Sequence, residues 1–392
     1  MVAMILGGNK LNTGIAQRLS HLYGEVVVLD WHHNQTGVGE FVRYDVTSSE
    51  LPNYVQNSLN ISPESIWTSI DLAVPNLNKI LKNQGKQFYP RGLFDLTKLQ
   101  MLEAWRGAGL LSRKYWVNPI TESFDDTELD VVVKPNQGSG SRGVSTTTIS
   151  NSAQFIAEAR RLSLDGNALV EERVFGTEFT VELAADRFGN TGILGWSQKH
   201  HSRYAKFDTV STALYYGWSS FPEAVISKLC EKALGAFEAF QPKSTLGHLE
   251  IIYSDKENAF HPIEIGFRSS GFIASDLLNE SFGNDCIEIM ENIYRGQRLG
   301  KLNSTPKKVA TYYFPDLLPG TSLSQIPKFS EKYPKYKSIY YATLSENSAT
   351  ANLVQGDGDR HSVEILTCDL GGFNAGDFEA FEDSMLKRGN HV

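Results

Sequence analysis

The sequence predicts an α/β protein with a Rossmann-like parallel sheet at its start, an α+β centre built on antiparallel strands, and a smaller strand-rich end. Three observations carry this prediction. Short Val- and Ile-rich runs alternate with helical patterns between VAMILGG at residue 2 and SIWTSIDLAV at residue 65, as in βαβ units on a parallel sheet. A glycine-rich loop separates two strand-like runs around VVVKPNQGSGSRGV, residues 131–144. Two apolar strands, LGHLEIIY and AFHPIEIGF, flank a short polar turn, SDKEN.

In chain order, VAMILGG and EVVVLD read as strands separated by a polar-apolar helix, and SIWTSIDLAV reads as a third strand after another amphipathic stretch. Gly7 and Gly8 follow the first strand, but GGNKLNTG matches neither GxGxxG nor GxxxxGK[ST], so a nicotinamide dehydrogenase is a weak reading of this sheet. TKLQMLEAWRGAG, residues 97–109, reads as a helix ended by glycine. Residues 113–190 are strand-rich, with one helix in NSAQFIAEARRLS; residues 222–240 carry a helical apolar period, with Pro222 suited to a first turn. From about Leu302 short strands alternate with Gly and Pro turns, and DFEAFEDSMLKRG closes the chain as a helix.

Composition narrows the function classes. The 392 residues are 41% hydrophobic and can bury a large core in two or three domains. A formal charge of -8 argues against nucleic-acid or anionic-membrane partners, which require a basic surface. Cys230, Cys286 and Cys368 are far apart without CxxC spacing, so neither a disulfide framework nor a structural zinc site is expected. No run reaches the length of a membrane span or a signal peptide. A soluble, cytoplasmic protein is the expectation.

The glycine loop reads literally as GxGxxG, but its context excludes two of the sites that use that string. A Rossmann loop opens a helix, whereas VSTTTIS continues as a strand. A protein-kinase loop precedes its lysine and is followed by HRD and DFG, whereas here Lys134 comes first and neither tripeptide occurs. What remains is a hairpin lid over a phosphate chain, with Lys134 reaching it from below; a plain surface hairpin is the alternative. In ALVEERVFGTEFTVEL the turn can offer the backbone of Glu171 and Val174 to an adenine edge and Glu178 to ribose hydroxyls, or it is a solvated acidic hairpin. Glu250 and Glu264 lie on strands flanking one turn and should be cross-strand neighbours, a repulsive arrangement that a hard cation converts into binding. Arg268 is expected on the strand face of Glu264, by the two-residue period, where a structural salt bridge to either glutamate is the alternative.

Together, over roughly residues 1–300, these ordered motifs resemble the ATP-grasp superfamily. The resemblance implies a substrate-binding domain at 1–93, a nucleotide-binding and catalytic region at 94–301 with a lid at about 113–190, and a closing subdomain at 302–392. It implies that Lys98 and Lys134 bind phosphates, that Gly138, Ser139, Gly140, Ser141 and Gly143 form the lid, that Glu171, Val174 and Glu178 meet adenine and ribose, and that Glu250 and Glu264 hold magnesium, or manganese in its place. Many members have Asn two residues after the second metal glutamate, and here that position is Gly266. The ending EIGFRSSG is more similar to L-amino-acid and dipeptide ligases, in which an arginine matching Arg268 serves the acyl phosphate.

The implied reaction joins a small-molecule carboxylate to an amine, using ATP and releasing ADP. Lys199, His200, His201, Arg203, Tyr215 and Tyr216, with Arg268 and Gly271, are candidates for the substrate side. An ATP-dependent carboxylase, a purine-pathway ligase and a non-catalytic nucleotide-binding module are the alternatives on the same scaffold. A homodimer is compatible with every one of these readings.

Overall fold

A computed structural model describes residues 1–389 apart from 9–11, 33–34, 85–95, 120–124, 139, 141, 204–210, 271–273, 323–325, 345–350 and 352–359. The first sheet has four parallel strands, β1 (Val2–Leu6), β2 (Glu25–Asp30), β3 (Glu40–Arg43) and β4 (Ser65–Thr68), in the order β3-β2-β1-β4. Its central strands are buried on both faces, which explains the uninterrupted apolar runs AMIL and VVVL. Helices α1 (Thr13–Tyr23), α2 (Leu51–Tyr54) and α3 (Val74–Asn83) join these strands or follow them. The expected strand SIWTSIDLAV is shorter than its apolar run. It stops at Thr68, turns through a 3₁₀ segment at Asp71–Ala73, and enters α3 with Pro75 in the first helical turn. Asp71 is thereby set just beyond the carboxyl end of a parallel strand, the edge where open α/β sheets bind ligands.

Helix α4 (Lys98–Gly107) starts where its sequence predicts. Thr97 accepts from the Gln100 N–H while the Gln100 side chain returns to the Thr97 N–H, a capping box. Its Trp105 is fully buried and donates to the Ala236 carbonyl at 2.9 Å. A small antiparallel sheet follows, with β5 (Tyr115–Val117), β6 (Asp130–Pro135), β7 (Ser145–Thr148) and β8 (Ala168–Glu172) in the order β5-β8-β6-β7. Helix α5 (Ala153–Leu162) covers it, and Val131, Val133, Ile156 and Val170 share its core. The glycine loop joins β6 to β7 as a hairpin.

The third sheet has eight strands, all antiparallel, and supports the rest of the molecule. It contains β9 (Thr177–Ala185), β10 (Thr191–His201), β11 (Ser211–Tyr216), β12 (Thr245–Ser254), β13 (Ala259–Gly266), β14 (Val309–Tyr313), β15 (Lys337–Thr343) and β16 (Ser362–Cys368). Their order is β13-β12-β9-β10-β11-β14-β16-β15, so the C-terminal strands extend the same sheet. Helices α6 (Glu223–Glu238), α7 (Ala274–Phe282), α8 (Cys286–Tyr294), α9 (Phe329–Lys332) and α10 (Gly376–Gly389) pack around it. Gly247 permits the close approach of α6, because a Cβ there would meet the Phe237 ring at 2.6 Å. Among the described residues no helix is long and apolar enough to cross a membrane.

The capping box fixes the turn on which Lys98 stands. Thr97→Ala should lower the unfolding free energy by about 1 kcal/mol, the usual cost of a lost N-cap. Denaturant unfolding checks this, and an unchanged midpoint would show that the turn is held by other contacts.

Candidate functional site

Glu250 on β12 and Glu264 on β13 are direct cross-strand partners. The short turn at Asp255–Asn258 sets this register, with one irregularity just after Glu250. Both side chains are about one-third exposed, 29% and 33%, so they face a cleft rather than the core. Two adjacent carboxylates repel, and each has been given its own cation. Lys98 reaches Glu264 at 3.1 Å and Lys199 reaches Glu250 at 2.7 Å. Lys199 also pairs with Glu178, to which His201 Nε2 comes within 3.2 Å. Burial would lower the Lys199 ammonium pKa, but Glu178 and Glu250 outweigh it and push the group upward. Behind Glu250, His248 contacts the buried Glu182 at 2.8 Å through Nδ1 and lies 3.7 Å from Glu250 through Nε2. Burial opposes charging of His248, yet Glu182 and Glu250 raise it to about 9.

The glycine hairpin is rooted in the same place. The buried Lys98 ammonium donates to the Gly138 carbonyl at 2.9 Å, and the Lys98 and Leu99 N–H groups donate to the backbone and side-chain carbonyls of Asn136 at 3.0 and 2.9 Å. The Asn136 amide is in turn held by Asp165 at 2.5 Å. Gly140 and Gly143 both have positive φ, +70° and +76°, which lets the hairpin tip fold back where other residues would be strained. Below the loop, Lys134 is buried against Glu171, whose other oxygen takes the Arg113 guanidinium at 2.6 and 2.7 Å. Burial would raise the Glu171 carboxyl, but Lys134 and Arg113 hold it down at about 2.

Arg268 completes the cluster from just past the end of β13. The strand stops at Gly266, but the side chain stays over the face of Gly266 and Glu264, its guanidinium carbon 3.5 Å from where a Cβ of Gly266 would stand. Its salt bridge runs to neither glutamate. The guanidinium grips Asp71 in a fork, Nε to Oδ1 at 2.5 Å and Nη2 to Oδ2 at 2.6 Å, while Nη1 donates to the Ser269 carbonyl at 2.8 Å. Burial would raise the Asp71 carboxyl, and Arg268 reverses that, keeping it below the ordinary carboxylate range.

The substrate candidates divide between the two faces of the sheet. Lys199 and His201 share the face of Glu178 and Glu250. His200 and Tyr215 do not face the carboxylate pair. Tyr215 is 1% exposed and packs among Phe373, Phe378 and Trp218 in the C-terminal aromatic core, with the His200 ring beside it. Alternation along β11 turns Tyr216 the other way, where its hydroxyl donates to Glu182 at 3.2 Å. Arg203 is bound to Glu382 and Asp383 of α10, both at 3.0 Å. Val174 lies between β8 and β9 and is half-buried. Ser139, Ser141 and Gly271 lie outside the described residues.

Asp71, Arg113, Asn136, Glu182 and His248 belong to the site although the motif reading did not select them. His248, two residues before Glu250, was within reach of the two-residue period; the others carry no local signal.

The donor set fits a hard cation. Glu250 and Glu264 offer only carboxylate oxygens, and magnesium takes one or two carboxylates together with phosphate oxygens. Among the described residues no group of three or more His, Cys, Asp and Glu could hold an ion unaided.

Residues 127–276 match the family described as the ATP-grasp domain, so the chain carries such a domain. No curated protein sequence matches significantly. In solved structures the fold is similar to an L-amino acid ligase from Bacillus licheniformis, with 16% identity, TM-score 0.77, and 98% of this chain and 97% of that one covered. It is also similar to the N5-carboxyaminoimidazole synthetase of Staphylococcus aureus complexed with ADP, with 14% identity, TM-score 0.68, and 98% and 96% covered. A biotin carboxylase from Campylobacter jejuni gives 14% identity, TM-score 0.69, and 94% and 87% covered.

The Glu171 cluster has a stability consequence. Its folded pKa, about 2, lies below the ordinary value of 4.5, so the stabilisation is present above pH 4.5 and is lost as the pH falls toward 2. That difference corresponds to about 3 kcal/mol. Glu171→Gln, which leaves Lys134 and Arg113 buried without a counter-charge, should cost about 3 to 5 kcal/mol at neutral pH. The variant should also lose stability less steeply than the parent between pH 5 and 3. Parallel pH profiles in denaturant unfolding would show that the cluster is not the titrating element.

Proposed function

We propose that this protein is an ADP-forming ligase that uses ATP to join a carboxylate to an amine, acting on amino-acid-like substrates. The observation that carries the reading is the Glu250–Glu264 pair, flanked by Lys98 and Arg268 under a glycine hairpin that carries Lys134 at its base. A nucleotide-binding module without chemistry has no use for a guanidinium beside a cation site. The likeness to a solved L-amino acid ligase favours an amino-acid-like acid over bicarbonate; the carboxylase and purine-type readings rest on structures that are less similar in TM-score.

The chain's own residues mainly position groups and compensate charge, as phosphoryl transfer requires. Lys98 and Lys134 would meet the phosphate chain, and the hairpin from Gly138 to Gly143 would cover it with backbone N–H groups and exclude water. Glu250 and Glu264 would hold magnesium, whose charge offsets that of the phosphate oxygens. Glu171 and Val174 would present backbone groups to adenine, and Glu178 would take the ribose. A substrate carboxylate oxygen attacks the γ-phosphorus, and the bridging oxygen leaves with ADP. The amine nitrogen then attacks the acyl carbon, phosphate departs, and the nitrogen loses its proton. Arg268 would neutralise the transferring phosphoryl group and then the oxyanion formed at the acyl carbon. Residues 302–392 would close the cleft.

Nucleotide products distinguish this chemistry from its rivals. Incubation with pooled amino acids and amines should yield ADP, phosphate and a dehydrated acid–amine adduct, read by chromatography and mass spectrometry. AMP, or steady ADP without an adduct, would overturn the ligase assignment. Glu264→Gln should stay folded and lose nearly all turnover, because an amide is a poor ligand for a hard cation. Activity within a few-fold of the parent across a magnesium titration would remove Glu264 from the ion site.

Lys134→Ala should weaken binding of a non-hydrolysable ATP analogue about tenfold to a hundredfold, the range expected for one charge-assisted hydrogen bond. Calorimetry gives the answer, and unchanged affinity would mean that the hairpin covers something other than a phosphate chain.

A further inference from the structure

Residue 266 is glycine where the resemblance leads one to expect asparagine, and the fold supplies a steric reason. A Cβ at Gly266 would lie 2.9 Å from Asp71 Oδ1 and 3.5 Å from the Arg268 guanidinium carbon. A side chain at 266 and the Asp71 carboxylate therefore compete for one volume. Asp71 comes from a segment 197 positions away, at the carboxyl edge of the N-terminal sheet. It occupies the Nε–Nη2 edge of Arg268, and Nη1 is tied to the Ser269 carbonyl. Three of the five guanidinium N–H groups are thus used by the protein. The remaining two are held in a fixed plane, since the Arg268 side chain is only 13% exposed and the Asp71 fork sets its rotation.

We infer that Asp71 is a positioning residue for Arg268, admitted by the missing side chain at Gly266, and that the N-terminal sheet in this way orients the group that meets the transferring phosphoryl. The inference rests on the ligase reading for the role of Arg268, and on geometry alone for the pairing. A carboxylate fork fixes both the plane and the rotation of a guanidinium, which a single hydrogen bond does not. Asp71 itself touches no substrate in this scheme. Its loss should therefore appear in the rate of the chemical step and not in nucleotide affinity.

The test is a two-residue cycle. Asp71→Asn should lower kcat about tenfold to a hundredfold, the scale of a misplaced catalytic group, with KM for ATP within about threefold of the parent. Gly266→Ala should produce a similar loss by pushing the carboxylate aside. In the double variant Gly266→Ala/Asp71→Ala the added methyl should cost little beyond Asp71→Ala alone, because the group it displaces is gone. Parental kcat in Asp71→Asn, or losses that multiply in the double variant, would overturn the inference. Should the parent itself form no adduct with any acid and amine, the ligase reading fails, and the pairing is then decided without turnover. In NMR the Arg268 Nε–H should exchange slowly with solvent in the parent and rapidly in Asp71→Asn. Equal exchange in both would reject the positioning role.

Discussion

Two like charges facing each other across one antiparallel ladder are the constraint on which the site depends. Glu250 and Glu264 are partners because the turn between β12 and β13 is short, and a one-residue slip of the edge strand β13 would send its core-facing side chains to the other face. The surroundings resolve it with cations taken from elsewhere: Lys98 from the first turn of α4, and Lys199 from β10, on the far side of β9. Each of these is shared. Lys98 also holds the Gly138 carbonyl and so ties the hairpin to the carboxylates, and Lys199 also holds Glu178. The same ammonium groups that balance the acids in the absence of a ligand are thus those that an incoming phosphate chain and cation would redistribute.

A second charge system lies underneath and is largely buried. Glu171, Lys134 and Arg113 are buried at the base of the hairpin, and their worth is asymmetric: as a set they are neutralised, whereas removing one member strands the others in a low-dielectric environment. The packed base of the hairpin and the turn beyond it follow from one sequence. VVVKP is strand with a buried core beneath it, while Gly140 and Gly143 beyond it take positive φ, Gly140 with open space where a Cβ would stand and Gly143 pressed against Leu162 and Pro135.

Much of this was legible in the sequence, for identifiable reasons. The glutamate pair, the hairpin and the start of α4 are local: a period of two, a turn, and a cap within four residues fix them. What could not be read comes from distance. Asp71 meets Arg268 across 197 positions, and nothing in SIDLAV marks it as an ion-pair partner; its location follows only once the strand is seen to stop at Thr68. Glu182 and Arg113 are ordinary charged residues until the sheets bring them to His248 and Glu171. Tyr215 failed for a different reason. In a central strand both faces are buried, so YY gives no sign of which tyrosine looks toward the site, and the aromatic core that receives Tyr215 is built largely by residues beyond 310.

The continuity of the eight-stranded sheet bears on how this protein can be divided. Strand β14 lies between β11 and β16, so the last ninety or so residues are hydrogen-bonded into the sheet that carries Lys199 and Glu250. A chain shortened at residue 301 would leave the six residues of β11 with a bare row of N–H and C=O groups and would uncover Tyr215. Such an edge recruits strands from neighbouring molecules. A recombinant fragment containing every residue of the carboxylate cluster would therefore be expected to aggregate, and the smallest portable unit of this protein extends to α10.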